Sequence, residues 1–164
     1  LVTAFDQPAL GAVYKLSALK NHKNQWEYKL KLSEQAIKVN NPGIQQVRRF
    51  YNNQNKYLAD MIYDTQLPLG NKHTIIDPID PTRRKYIDST KTSHKDLLVP
   101  VFKKGKPVYQ LPEISAIREF VQQEMGKMHK GLKRFVNPHS YAVGLEKKLY
   151  DLRTKLVLEL RKIK

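Results

Sequence analysis

Cysteine is absent from this 164-residue chain, which rules out a disulfide scaffold and thiolate metal sites and is what a reducing compartment permits. Glycine is scarce at seven residues, and none falls in a phosphate-cradling GxGxxG or GxxxxGK[ST] pattern. Long apolar runs are missing too: no stretch approaches the roughly 20 residues that a membrane helix requires. Nor does a positively charged leader precede an apolar run, so the expected location is cytoplasmic, with no membrane partner. The five histidines (His22, His73, His94, His129 and His139) lack metal-ligand spacing, and no nucleophile elbow surrounds any serine. No catalytic residue and no metal site is expected within the chain.

Positive charge is abundant. Thirty Lys and Arg residues face 15 Asp and Glu, for a formal net charge of +15. Such an excess suits a polyanion: nucleic acid, a phosphorylated substrate or anionic lipid. Yet the basic residues are scattered and form no run of five or six, so a general solvating excess with local anion sites fits better than a dedicated nucleic-acid face. Aromatics beside cations, as in Val47 to Tyr51 and at Tyr86, have the make-up of base-stacking platforms, but alternating strands give the same pattern without a ligand. A stand-alone basic nucleic-acid-binding module is therefore the alternative reading.

The patterning gives an α+β fold with antiparallel strands first and two long helices last. Trp26, Tyr28, Leu30 and Leu32 alternate with Glu27, Lys29 and Lys31, a half-buried strand. Val13 to Leu19 makes a hairpin partner across Asn21 to Gln25, with Lys15 on the opposite face from Tyr14 and Leu16. Asn40, Asn41, Pro42 and Gly43 form a turn, and Val47 to Tyr51 and Lys56 to Tyr63 a second hairpin across Asn52 to Asn55. Pro68 to Thr92 reads as an excursion with few regular elements, and Leu97 to Phe102 pairs with Pro107 to Tyr109. From Pro112 the period changes: Ile114, Ile117, Val121, Met125, Met128 and Leu132 predict one amphipathic helix, stopped by Asn137 and Pro138, with both methionines in the core. Tyr141, Leu145, Leu149, Leu152, Leu156 and Leu160 predict another, the two packing on each other or clamping a sheet.

The segments LVTAFDQPALGAVYKL, KLSEQAIKVNNPGIQQVRRFY, LADMI, LLVPVFKKGKPVY and KRFVNPHSY, in this order, resemble the C-terminal part of bacterial nicotinate phosphoribosyltransferases. The resemblance implies an enzyme that makes nicotinate mononucleotide from nicotinate and phosphoribosyl pyrophosphate in NAD biosynthesis, coupled to ATP hydrolysis through a phosphorylated histidine. It implies an incomplete α/β barrel flanked by a second domain, with residues 1–20 ending the barrel and returning to the flanking domain, and 21–164 forming the C-terminal domain. The glycine-rich phosphate loop and the reactive histidine of the family precede the LVT motif, so the chain, opening on Leu1, is expected to be an inactive fragment. Its partners would be the remainder of the same enzyme and a second subunit, and ATP with Mg2+ would belong to the complete enzyme. Thr3 would lie beside the phosphate loop. Lys15 and Lys31 match basic positions that approach phosphates in the similar nicotinamide phosphoribosyltransferases, a task that suits a compact, mobile charge. Asp6 is expected to be a local cap, and Ala12 stands where the family often has glycine.

Overall fold

The computed structural model describes residues 13–162. A first hairpin pairs β1 (Ala18–Lys20) with β2 (Trp26–Tyr28), Ala18 lying opposite Tyr28. Asn21 makes the turn, its Oδ1 accepting the backbone N–H groups of Lys23 at 2.9 Å and Gln25 at 3.0 Å. Both strands are shorter than the alternation predicted, because the chain on either side of them follows other partners.

The remaining long strands build one six-stranded sheet. They are β3 (Gln45–Tyr51), β4 (Tyr57–Asp64), β5 (Lys72–Ile76), β6 (Arg84–Asp88) and β7 (Ser93–Asp96), completed by β10 (Val143–Glu146). The spatial order is β6-β5-β10-β4-β3-β7. The β3–β4 hairpin forms as expected, with Asn52 accepting from Gln54 and Lys56 at 3.0 and 2.9 Å. The excursion over 68–92 does not: it contains the β5–β6 hairpin, with Lys72 opposite Asp88 and Ile76 opposite Arg84. Pro78 and Pro81 are confined to the connection, where Asp77 accepts from Ile79 at 2.8 Å and Asp80 accepts from Thr82 at 3.1 Å. The prolines thus punctuate a turn, leaving His73, Ile75 and Ile87 to fill strands. The hairpin expected near Leu97 to Tyr109 is reduced to two residues a side, β8 (Phe102–Lys103) and β9 (Lys106–Pro107).

Curvature follows from one contact. The Phe50 ring on β3 lies 5.5 Å from the His73 ring on β5, although β10 and β4 stand between these strands. Three steps of a flat sheet span about 14 Å, so the sheet curls into a half-barrel around Phe50, Ala59, Met61, Tyr63, Ile75 and Ile87.

Of the expected helices, α1 (Ile114–Lys127) stops before Met128, ten residues ahead of Pro138. Its last carbonyls are taken by lysines: Lys56 Nζ donates to Gly126 O at 2.7 Å and Lys133 Nζ to Met125 O at 3.3 Å. Met125 is exposed rather than in the core. The second expected helix splits, since Tyr141 to Leu145 leads into β10 and only α2 (Lys147–Leu160) is helical. Strand β10 runs parallel to β4 and antiparallel to β5, so the sheet is mixed rather than purely antiparallel. A Cβ on Gly144 would stand 2.4 Å from Ile76 O, so glycine admits this strand to its slot. Glu146 then caps α2 by accepting from Lys148 N at 2.7 Å, and α2 clamps the outer face of β5, β10 and β4 through Leu149. The two helices do not pack on each other.

Candidate anion groove and a polar clamp

The sequence expectations for Lys15 and Lys31 converge in space. Residues 13–16 run beside 29–33, and the two segments, with Lys38, line a groove of about 490 Å³. Asn40, read from the sequence only as a turn residue, holds its walls together. Its Oδ1 accepts from Lys31 N at 2.7 Å, and its Nδ2 donates to Leu16 O at 3.4 Å and Lys29 O at 3.5 Å. Lys29 N and Gly43 N both reach Ser17 O at 2.9 Å, closing the base.

Four ammonium groups border this groove: Lys15, Lys29, Lys31 and Lys38. Lys29 pairs with Glu27 at 2.9 Å, and Lys15 Nζ donates to Lys38 O. Lys31 and Lys38 have no acidic partner among the described residues. Like charges gathered on apolar walls of Val13, Leu16, Leu30 and Leu32 favour a ligand with several negative oxygens and a less polar part. Sequence reasoning missed Lys38, which sits in a 3-10 turn over Ala36–Lys38 where no alternation could mark it. Lys29 was visible in the alternation two residues from Lys31, but matched no motif. Thr3, Asp6 and Ala12 lie outside the described residues.

A second polar centre fastens α1 to the sheet. Arg49 donates to both oxygens of Asp60, at 2.8 and 2.7 Å, and its Nη1 lies 3.6 Å from Glu124. Tyr141 donates to Asp60 at 2.9 Å, Tyr57 donates to Glu124, and Lys127 reaches Glu124 at 2.7 Å. The bond to Asp60 holds the Arg49 guanidinium far above its ordinary range, and burial pushes the Tyr57 hydroxyl up to about 12. Burial opposes ionisation of Glu124, yet donation by Lys127 and Tyr57 keeps its pKa below the ordinary value. On the inner face, Arg48 grips Asp96 at 2.8 and 2.9 Å and lowers its pKa. His73 is buried there with no partner for Nε2, and burial, then Arg48 and His94, press its pKa down. Apart from the unpartnered His73 Nε2, the charged groups in these two centres are engaged with one another, so they read as clamps rather than reactive sites.

Comparison with known proteins identifies the family of the chain. A domain family described as nicotinate phosphoribosyltransferase C-terminal domain matches residues 44–153. The chain belongs to that family. Nicotinate phosphoribosyltransferase of Bacillus subtilis is 33% identical over 98% of the chain, and that of Dictyostelium discoideum 31% over 97%. The chain spans about a third of the length of these relatives, covering 33% and 28% of them, and corresponds to their C-terminal portion. The crystal structure of human nicotinic acid phosphoribosyltransferase superposes with a TM-score of 0.58 at 18% identity, over 71% of this chain and 23% of that one. The fold over that part of the chain is thus shared with the human protein.

Proposed function

We propose that the chain is the C-terminal part of an enzyme that makes nicotinate mononucleotide from nicotinate and phosphoribosyl pyrophosphate with ATP hydrolysis, in the salvage route to NAD. The observation that carries this reading is the family match over residues 44–153, joined by relatives that all bear the name nicotinate phosphoribosyltransferase. In it, residues 1–20 close the barrel and 21–164 form the flanking domain, while the reactive histidine and phosphate loop belong to the remainder of a cytoplasmic enzyme that works as a homodimer.

Lys15 and Lys31, with Lys29 and Lys38, meet phosphate oxygens of phosphoribosyl pyrophosphate or ATP, and Thr3 stands beside the phosphate loop. The groove supports these roles, since ammonium groups on long flexible side chains follow a phosphate as its charge redistributes. Lysines cannot ligate a cation, and among the described residues no three His, Asp or Glu side chains gather to do so. Magnesium accompanying ATP belongs to the complete enzyme, with phosphate oxygens among its ligands. The 164-residue chain alone is inactive, because positioning and electrostatic stabilisation need groups from the whole site.

The test replaces the matched third of the Bacillus subtilis relative with this chain. The hybrid should form nicotinate mononucleotide, and Lys31→Ala in it should lower kcat/KM for phosphoribosyl pyrophosphate or ATP about tenfold to a hundredfold at unchanged melting temperature. A folded but inactive hybrid, or product made by the 164-residue chain alone, overturns the reading. Tight binding of RNA by the chain would favour the basic-module alternative.

A further inference from the structure

Helix α1 is mounted the reverse way for a free surface helix. Its charged residues Glu124 and Lys127 turn toward Tyr57, Arg49 and Tyr51, while Lys56 holds the Gly126 carbonyl. The apolar stripe points outward: Ile114, Ile117, Val121 and Met125 are 69%, 46%, 52% and 47% exposed, and Phe120 beside them 54%. No residue of α1 is buried. The segment leading into the helix continues the pattern, with Phe102 at 68% and Leu111 at 89%. An apolar face of this extent, held in place by polar contacts on its other side, is preformed to be covered.

We propose that the outer face of α1 docks on the part of a nicotinate phosphoribosyltransferase that precedes the region this chain matches. The inference rests on the proposed function. Two observations choose this occupant. The relatives are about three times as long as the stretch they share with the chain, and that stretch is their C-terminal portion, so most of their mass precedes it in sequence and is available to cover the helix. The chain carries a net charge of +15, and Lys103, Lys104 and Lys106 on the hairpin before α1 have no carboxylate partner among the described residues. A second copy would bring the same cations to the contact. The covering surface is therefore apolar at its centre and carboxylate-rich at its edge.

The experiment co-expresses the tagged 164-residue chain with the portion of the Bacillus subtilis relative that precedes its matched third. Ile117→Asp and Val121→Asp are compared with Ile79→Asp, whose side chain is 55% exposed on the β5–β6 connection. The expected result is a co-purified pair, reduced roughly tenfold or more by either α1 variant and unaffected by the control, with unchanged circular dichroism of the tagged chain. Co-purification indifferent to the α1 variants overturns the docking surface and leaves the proposed function standing. To make the test independent of the solubility of the preceding portion, the same variants are also made in the hybrid enzyme, where protection of α1 from amide exchange relative to the isolated chain is the readout. Equal exchange in a folded, active hybrid overturns the docking alone, and a folded, inactive hybrid overturns the functional reading. Self-association of the isolated chain that Val121→Asp abolishes, without co-purification, assigns the face to a second copy and overturns the proposed occupant.

Discussion

Removing the Asp60 carboxylate should break the clamp between β3, β4 and Tyr141 and cost more than any surface change. Asp60 and Arg49 have side-chain exposures of 11% and 21%, so the pair is shielded from solvent. In Asp60→Leu the carboxylate's two bonds from Arg49 and one from Tyr141 are lost together. Counted singly at roughly 1.5–3 kcal/mol, three charge-assisted bonds would exceed the effect, because they are cooperative and water relaxes around the orphaned groups. The better guide is the measured cost of orphaning one member of a buried pair, about 3–5 kcal/mol. At about 2–4 °C per kcal/mol for a chain of this size, the melting temperature should fall by about 6–20 °C. The decisive comparison is Arg49→Met combined with Asp60→Leu. Since no guanidinium remains unpaired, the double variant should lose less than the sum of the single variants, and less than Asp60→Leu alone if the replacement side chains pack. Urea unfolding of all four proteins, followed by circular dichroism, gives the cycle. A loss below about 1 kcal/mol for Asp60→Leu, or strict additivity in the cycle, would refute the view that this pair is a coupled buried clamp.

Gly144→Ala should also destabilise: relief of glycine's backbone entropy favours alanine by roughly 0.5–1 kcal/mol, but a Cβ 2.4 Å from the Ile76 carbonyl forces strands apart at a cost of about 1–3 kcal/mol. A melting temperature equal to or above the parent's would show that β10 does not need its glycine. His73 gives a pH signature. Its folded pKa lies below the ordinary 6.5, so below about that pH the unfolded chain takes up the proton first and stability falls, whereas above it the contribution is constant. Unfolding free energies measured between about pH 5.5 and 7.5 should slope less in His73→Phe than in the parent, and identical slopes would remove His73 as the cause.

Local chemistry was legible wherever one residue type sufficed. Asn52 to Asn55 and Asn21 to Gln25 are turns because asparagine side chains accept backbone N–H groups, and the structure uses them in that way. Lys15 and Lys31 were marked by motif and face together in one groove. The failures share a cause in distant pairing. Tyr141 to Leu145 carries helical spacing, but a vacant slot between β4 and β5 pairs with it as a strand, which no local period can announce. Pro78 and Pro81 suppressed a hairpin whose strands begin just outside them. The stripe of α1 implied burial and is open to solvent, because Arg49 and Tyr57, more than fifty residues away, hold the polar side of the helix instead.

The insertion of β10 sets an order of events during synthesis. Strands β4 and β5 cannot be joined until Val143–Glu146 has left the ribosome, about 80 residues after β4 itself. Until then each half of the half-barrel, β3–β4 with β7 and β5–β6, presents a bare edge of unpaired backbone groups, the kind of surface on which nascent chains pair with one another. The last strand is thus a latch, and interruption of translation anywhere between β7 and β10 should release two sticky hairpins instead of a smaller version of the domain.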